Sequence, residues 1–208
     1  MSIYFTKPPW WLKKLYGPCI WEIPTGEKVL YLTFDDGPHP EATPFVLDAL
    51  KKHDAKATFF CIGKNVAAHT DIYRQVINEG HQTGNHSFNH LNGWKTNTLA
   101  YVKDVVKAKD YIDSSLFRPP YGKISHWQIS QLKKLLGLKI ILWSVLSADF
   151  DEKVSEKKCL ENVILNTAPG SIIVFHDSAK AYRNLTYTLP KVLSHYSSQG
   201  YKFDKINL

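Results

Sequence analysis

The sequence contains little cysteine and no cysteine pair at a short spacing. Its three cysteines, Cys19, Cys61 and Cys159, are widely separated, which excludes a zinc ribbon, a thioredoxin-like motif and a haem-attachment motif. An odd number also leaves one thiol outside any intramolecular disulfide scheme. We therefore expect buried thiols in a reducing compartment, and a disulfide or a reactive thiol is the alternative.

Long apolar runs are also missing. No stretch reaches the roughly 18 consecutive apolar residues that a membrane-spanning helix needs. Lys7 and the two prolines behind it stand where a secretory signal would have its apolar centre, so we expect no cleaved export signal and a cytoplasmic location. We interpret residues 1–28 as a segment that packs across the domain. Peripheral contact of Trp10 and Trp11 with an anionic lipid surface is the alternative.

Acidic residues are fewer than basic ones. Nineteen Asp and Glu against 26 Lys and Arg give a formal net charge of +7, which raises the question of an anionic partner. The paired lysines fall on four separate predicted helices, as on an ordinary solvated surface, and no nucleic-acid-binding motif accompanies them. We therefore expect no nucleic-acid partner, while an anionic glycan, a nucleotide sugar or a lipid surface stays open.

No repeat, low-complexity run or Pro/Gly-rich linker divides the chain, so residues 1–208 are predicted to form a single domain. Seven short apolar segments predict strands, at 29–34, 57–61, 82–85, 116–117, 139–143, 171–175 and 201–206. Amphipathic patterns predict helices at 42–52, 65–79, 97–114, 125–137, 155–166 and 187–199. This alternation predicts an α/β domain with a parallel sheet or barrel.

Polar side chains cluster at or shortly after the ends of five predicted strands. In parallel α/β folds the reactive groups lie beyond the carboxyl ends of strands, so these clusters are the first candidates for a site. They are Asp35-Asp36, His86 with His90, Arg118, Asp149, and His176-Asp177.

Asp35 and Asp36 end the first predicted strand, where adjacent side chains point in different directions and can take different roles. Gly37 and Pro38 then turn the chain. A polar loop in which one Asp caps the next helix is an equally good interpretation of these residues alone.

His86 and His90 stand four positions apart, a spacing that brings two imidazoles to one side of a helical turn and lets both face one metal ion. Histidines at this spacing also occur on solvated helices, but the position after a buried strand favours a ligand pair. With one carboxylate they would provide three protein ligands and an open fourth position, which is typical of a catalytic zinc site.

Arg118 and His176 each end a buried, apolar predicted strand. An unpaired charge is costly there, so Arg118 needs a carboxylate, and an Asp of the first cluster is the natural partner. An ion pair with a helix residue is the alternative. A histidine such as His176 is usually a hydrogen-bonded core residue, but the end of a strand is also where a general acid belongs.

Four stretches taken together resemble the polysaccharide deacetylase family, the NodB-homology domain of carbohydrate esterase family four. In chain order they are TFDDGP at 33–38, HSFNH at 86–90, RPPYG at 118–122 and VFHD at 174–177. The resemblance runs from about Val29 to the carboxyl terminus. It implies a distorted (β/α) barrel with about seven parallel strands, a divalent metal that is commonly zinc, with cobalt, nickel and manganese as alternatives, and removal of acetyl groups from sugars.

The resemblance also implies a role for each site residue. Three match the family's metal ligands: Asp36, His86 and His90. Five match its catalytic groups: Asp35 as the general base, Arg118 as the arginine that orients it, Tyr121 through its backbone N–H at the oxyanion, His176 as the general acid and Asp149 as the carboxylate that hydrogen-bonds the acid. Four are expected to contact the substrate: Phe150, Val174, Pro120 and Tyr121.

Three positions depart from the family's pattern. Leu146 stands where the fourth motif commonly has an Asp, Phe150 where it has a Trp, and Val174 where leucine is usual. Phe150 and Val174 still offer apolar walls for an acetyl methyl, so we expect a difference in substrate shape.

The hypothesis from the sequence is a monomeric, metal-dependent hydrolase that removes N-acetyl groups from a glycan or an amino-sugar conjugate. An O-acetyl esterase of the acetylxylan type and a deformylase are the enzymatic alternatives. A basic glycan- or nucleic-acid-binding module with a vestigial metal site is the non-enzymatic alternative.

Overall fold

The centre of the fold is a curled sheet of parallel strands. The computed structural model describes residues 4–208. Residues 1–3, which belong to the predicted domain and to its amino-terminal segment, lie outside the described residues. The strands found in residues 4–208 are β1 (Val29–Asp35), β2 (Ala57–Cys61), β3 (Gln82–Asn85), β4 (Leu116–Phe117), β5 (Lys139–Ile140), β6 (Val145–Leu146), β7 (Ile172–His176) and β8 (Lys202–Phe203).

The strand order is β5-β4-β3-β2-β1-β7-β6, and β8 pairs with the start of β1 beside this path. Every pair of strands is parallel. The predicted distorted barrel with about seven parallel strands is therefore confirmed. Because the strands are parallel, all their carboxyl ends lie on the same edge of the sheet.

Helices pack around this sheet. They are α1 (Trp10–Leu15), α2 (Ala42–Lys51), α3 (Gly63–Ala68), α4 (Thr70–Asn78), α5 (Thr98–Lys109), α6 (His126–Leu136), α7 (Glu156–Ile164) and α8 (Tyr182–Ser198). None of the helices in the described part of the chain has the length and apolar content needed to cross a bilayer.

The helix signals in the sequence are strongest at α6. Ser125 and Gln128 form the predicted capping box, in which each side chain bonds the other residue's backbone N–H. The helix ends at Gly137, whose φ of 64° lies in the left-handed region. Local hydrogen bonds of this kind are encoded by two or three residues, so the sequence predicts both ends of the helix.

Three predicted helices have clearly different bounds, and the one predicted at 97–114 ends earlier, at Lys109. The helix predicted at 65–79 is divided into α3 and α4 at His69, which has φ −134° and ψ 53°. Apolar spacing continues through this break, so the pattern does not reveal it. The helix predicted at 187–199 begins earlier, at Tyr182.

The strand predicted at 139–143 is shorter than expected, and β6, which was not predicted, follows it. Both strands lie in one apolar stretch from Lys139 to Leu146. Hydropathy does not change where β5 ends at Ile140, and the single polar residue Ser144 before β6 is too weak a signal to separate two such short strands.

The amino-terminal segment runs along both edge strands of the open sheet. Ile20 donates its backbone N–H to the Ile140 carbonyl (2.9 Å) and accepts from the Leu142 N–H (2.7 Å) beside β5. Further towards the amino terminus, the Thr6 carbonyl accepts from the Leu146 N–H of β6 (2.8 Å). The segment therefore satisfies backbone groups that would otherwise stay unpaired at the sheet edges.

Only part of that segment packs as expected. Cys19 and Trp21 are buried, whereas Trp10, Trp11 and Leu15 of α1 are 75%, 49% and 55% exposed. Leu12 of α1 packs against the core, so the expectation that the segment packs across the domain is wrong only for Trp10, Trp11 and Leu15. All three cysteines of the chain are buried and unpaired by disulfides.

The position of this segment predicts that alanine will cost far more unfolding free energy at Gly170 than at Gly137, although both glycines have positive φ. A Cβ at Gly170 (φ 81°) would lie 2.2 Å from the Ile23 carbonyl oxygen, whereas a Cβ at Gly137 (φ 64°) would meet nothing within 4 Å. We expect Gly137→Ala to cost about 1 kcal/mol of unfolding free energy through its backbone alone. Gly170→Ala should cost about 3 kcal/mol or more because it also displaces the segment. Urea denaturation measures both, and equal losses would contradict this account.

Candidate active site

Asp35 and Asp36 leave the carboxyl end of β1 with different surroundings. Asp35 is buried, and its Oδ1 accepts a hydrogen bond from Arg118 Nη1 at 2.7 Å. Asp36 has a φ of 82°, and its backbone carbonyl accepts from Asn65 Nδ2 at 2.7 Å. This left-handed residue separates the two carboxylates, so each can take its own role.

Asp177 holds the loop that follows these carboxylates. Its Oδ1 accepts from the Gly37 backbone N–H (3.1 Å) and its Oδ2 from the Thr43 hydroxyl (2.6 Å). Burial raises the pKa of Asp177 to about 8. The sequence places Asp177 beside His176 but predicts no role for it, because its hydrogen-bond partners Gly37 and Thr43 are distant in the sequence.

Arg118 is completely buried beneath the site. Its Nη1 donates to Asp35 Oδ1 and to the Thr33 hydroxyl oxygen, both at 2.7 Å. Its Nε and Nη2 donate to the carbonyls of Ile141 (3.4 Å) and Leu142 (3.2 Å). The sequence predicts an ion pair between Arg118 and an Asp of the first cluster, and the structure has it with Asp35. Because Arg118 bonds Oδ1, the Oδ2 of Asp35 is the oxygen that can take part in a reaction.

His86 and His90 lie side by side, with ring centroids 5.0 Å apart, but they do not lie on a helical turn. The expectation of a helical turn is wrong because Asp104 of α5 accepts from the backbone N–H groups of residues 88 and 89 at 3.0 Å. Ser87 and His90 then adopt positive φ values of 62° and 57°. A loop anchored by a buried carboxylate thus brings the two rings together.

Asp36, His86 and His90 form a cluster whose ligand atoms all lie within 4.8 Å of one another. His86 Nδ1 must donate to the Arg118 carbonyl, 2.8 Å away, because a carbonyl can only accept. Burial lowers the pKa of His86 to about 4, so the ring is neutral and its Nε2 carries a lone pair. His86 Nε2 lies 3.7 Å from Asp36 Oδ1.

Asp36 Oδ1 is itself buried, and it lies 3.2 Å from His90 Nε2 but is met by no well-aligned hydrogen-bond donor within the described residues. Two acceptors therefore face each other in a buried space, an arrangement that a cation between them would stabilise. Burial raises the pKa of Asp36, but the His90, His176 and His86 rings lower it more, so the net pKa is below its ordinary value. Two imidazoles and one carboxylate fit a divalent metal with an open position.

His176 is held by Asp149 on the other side of the site. Its Nδ1 donates to Asp149 Oδ1 and its backbone N–H to Asp149 Oδ2, both at 2.8 Å. Burial lowers the pKa of His176, but Asp149, helped by Asp36 and Asp35, raises it more, to about 9. The His176 imidazole is therefore protonated on both nitrogens at neutral pH, whereas the His86 imidazole is neutral.

A cavity of about 300 Å³ joins these groups. The predicted site residues that line it are Asp35, Asp36, His86, His90, Tyr121, Phe150, Val174 and His176. Arg118 and Asp149 lie behind this wall, each bonded to a lining residue. Pro120, which we expected to contact the substrate, is buried and is not part of the lining, because the turn at 120–122 presents Tyr121 instead.

Sequence reasoning missed several lining residues, chief among them Tyr4, Trp143 and Lys180. Lys180 stands three residues after Asp177, and this position in the sequence would have predicted that it lies near the site. Tyr4 had no such signal, since only the course of the amino-terminal segment brings it to the cavity.

Comparison with known sequences agrees with this geometry. A family model described as polysaccharide deacetylase matches residues 22–141. A peptidoglycan-N-acetylglucosamine deacetylase of Bacillus cereus is 34% identical over 193 residues, covering 90% of each chain. The peptidoglycan-N-acetylglucosamine deacetylase PgdA of Listeria monocytogenes is 32% identical over 194 residues, covering 89% of this chain and 40% of that protein.

Solved structures show the same similarity. The Bc1960 peptidoglycan N-acetylglucosamine deacetylase superposes with a TM-score of 0.87 at 30% identity, covering 96% of this chain and 95% of that one. The peptidoglycan deacetylase PdaC of Bacillus subtilis gives a TM-score of 0.79 at 30% identity, covering 88% of this chain and 90% of that one.

The cluster predicts that metal affinity depends on each of its three side chains. We expect Asp36→Asn and His90→Ala each to lower zinc affinity by more than about 100-fold, because two ligands cannot replace three. Competition with a chromogenic chelator measures the affinity, and the rise of Tm on zinc addition gives a second readout. His195→Ala on α8 is the control. Unchanged affinity in His90→Ala would remove that residue from the ligand set.

Proposed function

The chain belongs to the polysaccharide deacetylase family and is a metal-dependent carbohydrate deacetylase, and we propose that its substrate is the N-acetylated glycan of peptidoglycan. The deacetylases of Bacillus and Listeria described above support this substrate. The observation that carries the proposal is the single cavity in which the Asp36, His86 and His90 cluster meets Asp35 and His176.

Asp36, His86 and His90 would hold the metal, and their nitrogen and carboxylate donors favour zinc. A bound divalent cation supplies Lewis acidity, which polarises the acetyl carbonyl and lowers the pKa of a water molecule. The hydrogen bond from His86 Nδ1 to the Arg118 carbonyl keeps its Nε2 unprotonated and correctly aimed for this task.

Asp35 acts as the general base. Arg118 occupies its Oδ1, so its Oδ2, which lies 4.0 Å from His86 Nε2, is the atom that takes the proton of the attacking water. Tyr121 holds its backbone in the left-handed region (φ 60°), and in residues 4–208 its N–H meets no acceptor. That N–H donates to the oxyanion, a contact worth about 3 kcal/mol.

His176 acts as the general acid through its Nε2, because Asp149 occupies its Nδ1. It gives its proton to the departing nitrogen as the C–N bond breaks, and an amide needs such a donor since an unprotonated amine leaves poorly. An acetyl ester needs the acid less. The proton that Asp149 keeps on His176 therefore favours the amide over the O-acetyl esterase alternative.

The cavity wall around His176 suits an acetyl methyl group. Leu146, Phe150 and Val174 line it, and the Phe150 ring meets the His176 ring edge-on, with centroids 4.9 Å apart. These are the positions that depart from the family's pattern, and all three present apolar surface.

Location and oligomeric state stay predictions, namely a cytoplasmic monomer. A cytoplasmic enzyme would meet lipid-linked or nucleotide-linked precursors of peptidoglycan, whereas the finished polymer lies outside the membrane. The location therefore decides which form of the glycan is the substrate.

Acetate release from N-acetylated peptidoglycan fragments by the zinc-loaded protein tests the proposed function, and Asp35→Asn tests its base. We expect this variant to lower kcat by about 10²–10⁴-fold, since general base catalysis contributes that much, while zinc stays bound. Asp113→Asn, an exposed carboxylate, is the control. No acetate from the unaltered enzyme would refute the function, and an active Asp35→Asn enzyme would refute only the role of Asp35.

The pH profile tests the acid. His176 must be protonated to act, and its raised pKa keeps it protonated until the pH passes about 9, so kcat should fall on the alkaline side of that value. Asp149→Asn removes the charge that raises this pKa, and the alkaline limb should move towards about 6.5, the ordinary histidine value. Asp113→Asn, an exposed carboxylate outside the cavity lining, is the control. An alkaline limb that stays in place in Asp149→Asn would contradict the assignment.

A further inference from the structure

Helix α1 has an exposed face that is mostly apolar and has no role in the reaction described above. Successive residues of a helix lie about 100° apart around its axis, which divides α1 into two faces. Leu12 and Lys13 lie on the inner face, where Leu12 packs against the core and Lys13 pairs with Glu22. The residues of the outer face are all exposed: Trp10, Trp11, Lys14 and Leu15. The helix is therefore held by one face and presents the other to its surroundings.

Phe5 enlarges this exposed face. Its ring is 44% exposed and meets the Trp11 ring edge-on, with centroids 6.3 Å apart. We call Phe5, Trp10, Trp11 and Leu15 the apolar patch. An indole ring has an apolar body and a polar N–H, which suits the boundary between water and an apolar medium. Phe5 follows Tyr4, which lines the cavity, so the patch begins beside the wall of the active site.

Helix α6 lies against the end of α1 and extends the same surface. His126 Nε2 donates to the Leu15 carbonyl (3.0 Å), and Lys133 Nζ donates to the Pro18 carbonyl (3.2 Å). A groove of about 430 Å³ between these parts is lined by Pro18, His126, Ile129, Ser130, Lys133 and Lys134. The apolar patch and the lysines at the end of α6 therefore flank one groove.

The two stretches that form this surface contain no acidic residue. Residues 4–21 hold three lysines, and residues 114–148 hold four lysines besides the buried Arg118. Of the carboxylates that flank the amino-terminal segment, Glu22 is paired with Lys13 and Asp151 bonds the Tyr4 hydroxyl. The basic excess of the chain is thus concentrated beside its exposed tryptophans.

We propose that this surface docks the enzyme on an anionic lipid bilayer. The apolar patch enters the headgroup region, and Lys14, Lys133 and Lys134 face the lipid phosphates. Charge complementarity selects this occupant, because a second copy of the chain seated on the same surface would bring lysines against lysines. Binding of this kind is peripheral and needs no membrane-spanning helix.

Co-sedimentation of the full chain with lipid vesicles tests the docking surface. One set of vesicles is phosphatidylcholine alone, and the other is phosphatidylcholine mixed with phosphatidylglycerol. We expect binding to the mixed, anionic vesicles and much weaker binding to the neutral ones. Raising the salt concentration should weaken the binding to anionic vesicles, because salt screens exposed charges.

Two variants test the apolar patch. Trp10→Ser should lower the affinity for anionic vesicles about 10-fold, since it removes a large apolar side chain from the contact. Leu165→Ser is the matched control, because Leu165 at the end of α7 is 74% exposed and Trp10 is 75% exposed. Leu165→Ser should bind as the unaltered protein does. Both variants should keep its Tm, because the changed side chains are exposed.

Two double variants test the charge. Lys14→Gln with Lys134→Gln should lower the affinity for anionic vesicles about 10- to 30-fold, since each lysine near an anionic surface contributes to binding. Lys51→Gln with Lys52→Gln removes the same charge from the end of α2 and should leave the affinity unchanged.

Several outcomes would overturn the proposal. Absence of binding to anionic vesicles at low salt would refute docking on lipid altogether. Unchanged binding in Trp10→Ser would show that the apolar patch does not enter the bilayer, and equal losses in the two lysine double variants would show that net charge alone is responsible. Vesicle binding is measured without substrate, so none of these results bears on the deacetylase function, which acetate release from soluble fragments tests separately.

Discussion

The buried ion pair between Arg118 and Asp35 is the interaction on which the rest of the site depends. A guanidinium with no exposed surface must satisfy its donors inside the protein, and Arg118 does so with one carboxylate, one hydroxyl and two backbone carbonyls. Such a pair is costly to desolvate and more costly to break, because one buried charge would remain. The carbonyl of the same residue also orients His86. One arginine thus positions the proposed base and a proposed metal ligand together.

Around that pair, two histidines differ in charge and two aspartates differ in their partners, because their surroundings differ. Burial keeps His86 neutral although Asp35 and Asp36 lie near its ring, whereas Asp149 keeps the His176 ring positively charged. Asp35 is paired with a fixed cation, and Asp36 is left facing two imidazoles. Two histidines and two aspartates thereby become four different chemical groups. Division of this kind is how a single fold supplies an acid, a base and metal ligands at one pH.

The sequence predicts those parts of the structure whose determinants are local. Short apolar strands, the Ser125 cap and the polar residues at strand ends all follow from a few neighbouring residues, and their order predicts the family. The conformation of the His86–His90 loop does not, since it depends on Asp104 one helix later. Tyr4 enters the cavity through a segment with no motif, and Pro120 is turned away by the backbone at Tyr121. Contacts between distant parts of the chain decide all three.

The course of the amino-terminal segment has a practical consequence. Its backbone lies along β5 and β6, and Tyr4 lines the cavity, so a bulky group attached close to Tyr4 would lie near the site of the glycan. A purification tag or a fused domain at that end would compete with the polymer for space, even in a perfectly folded enzyme. The carboxyl-terminal residues follow β8, which pairs with Val29 and Leu30 at the start of β1, the end of the strand that is remote from Asp35. Fusion partners and solid supports are therefore better joined to the carboxyl-terminal end of the enzyme.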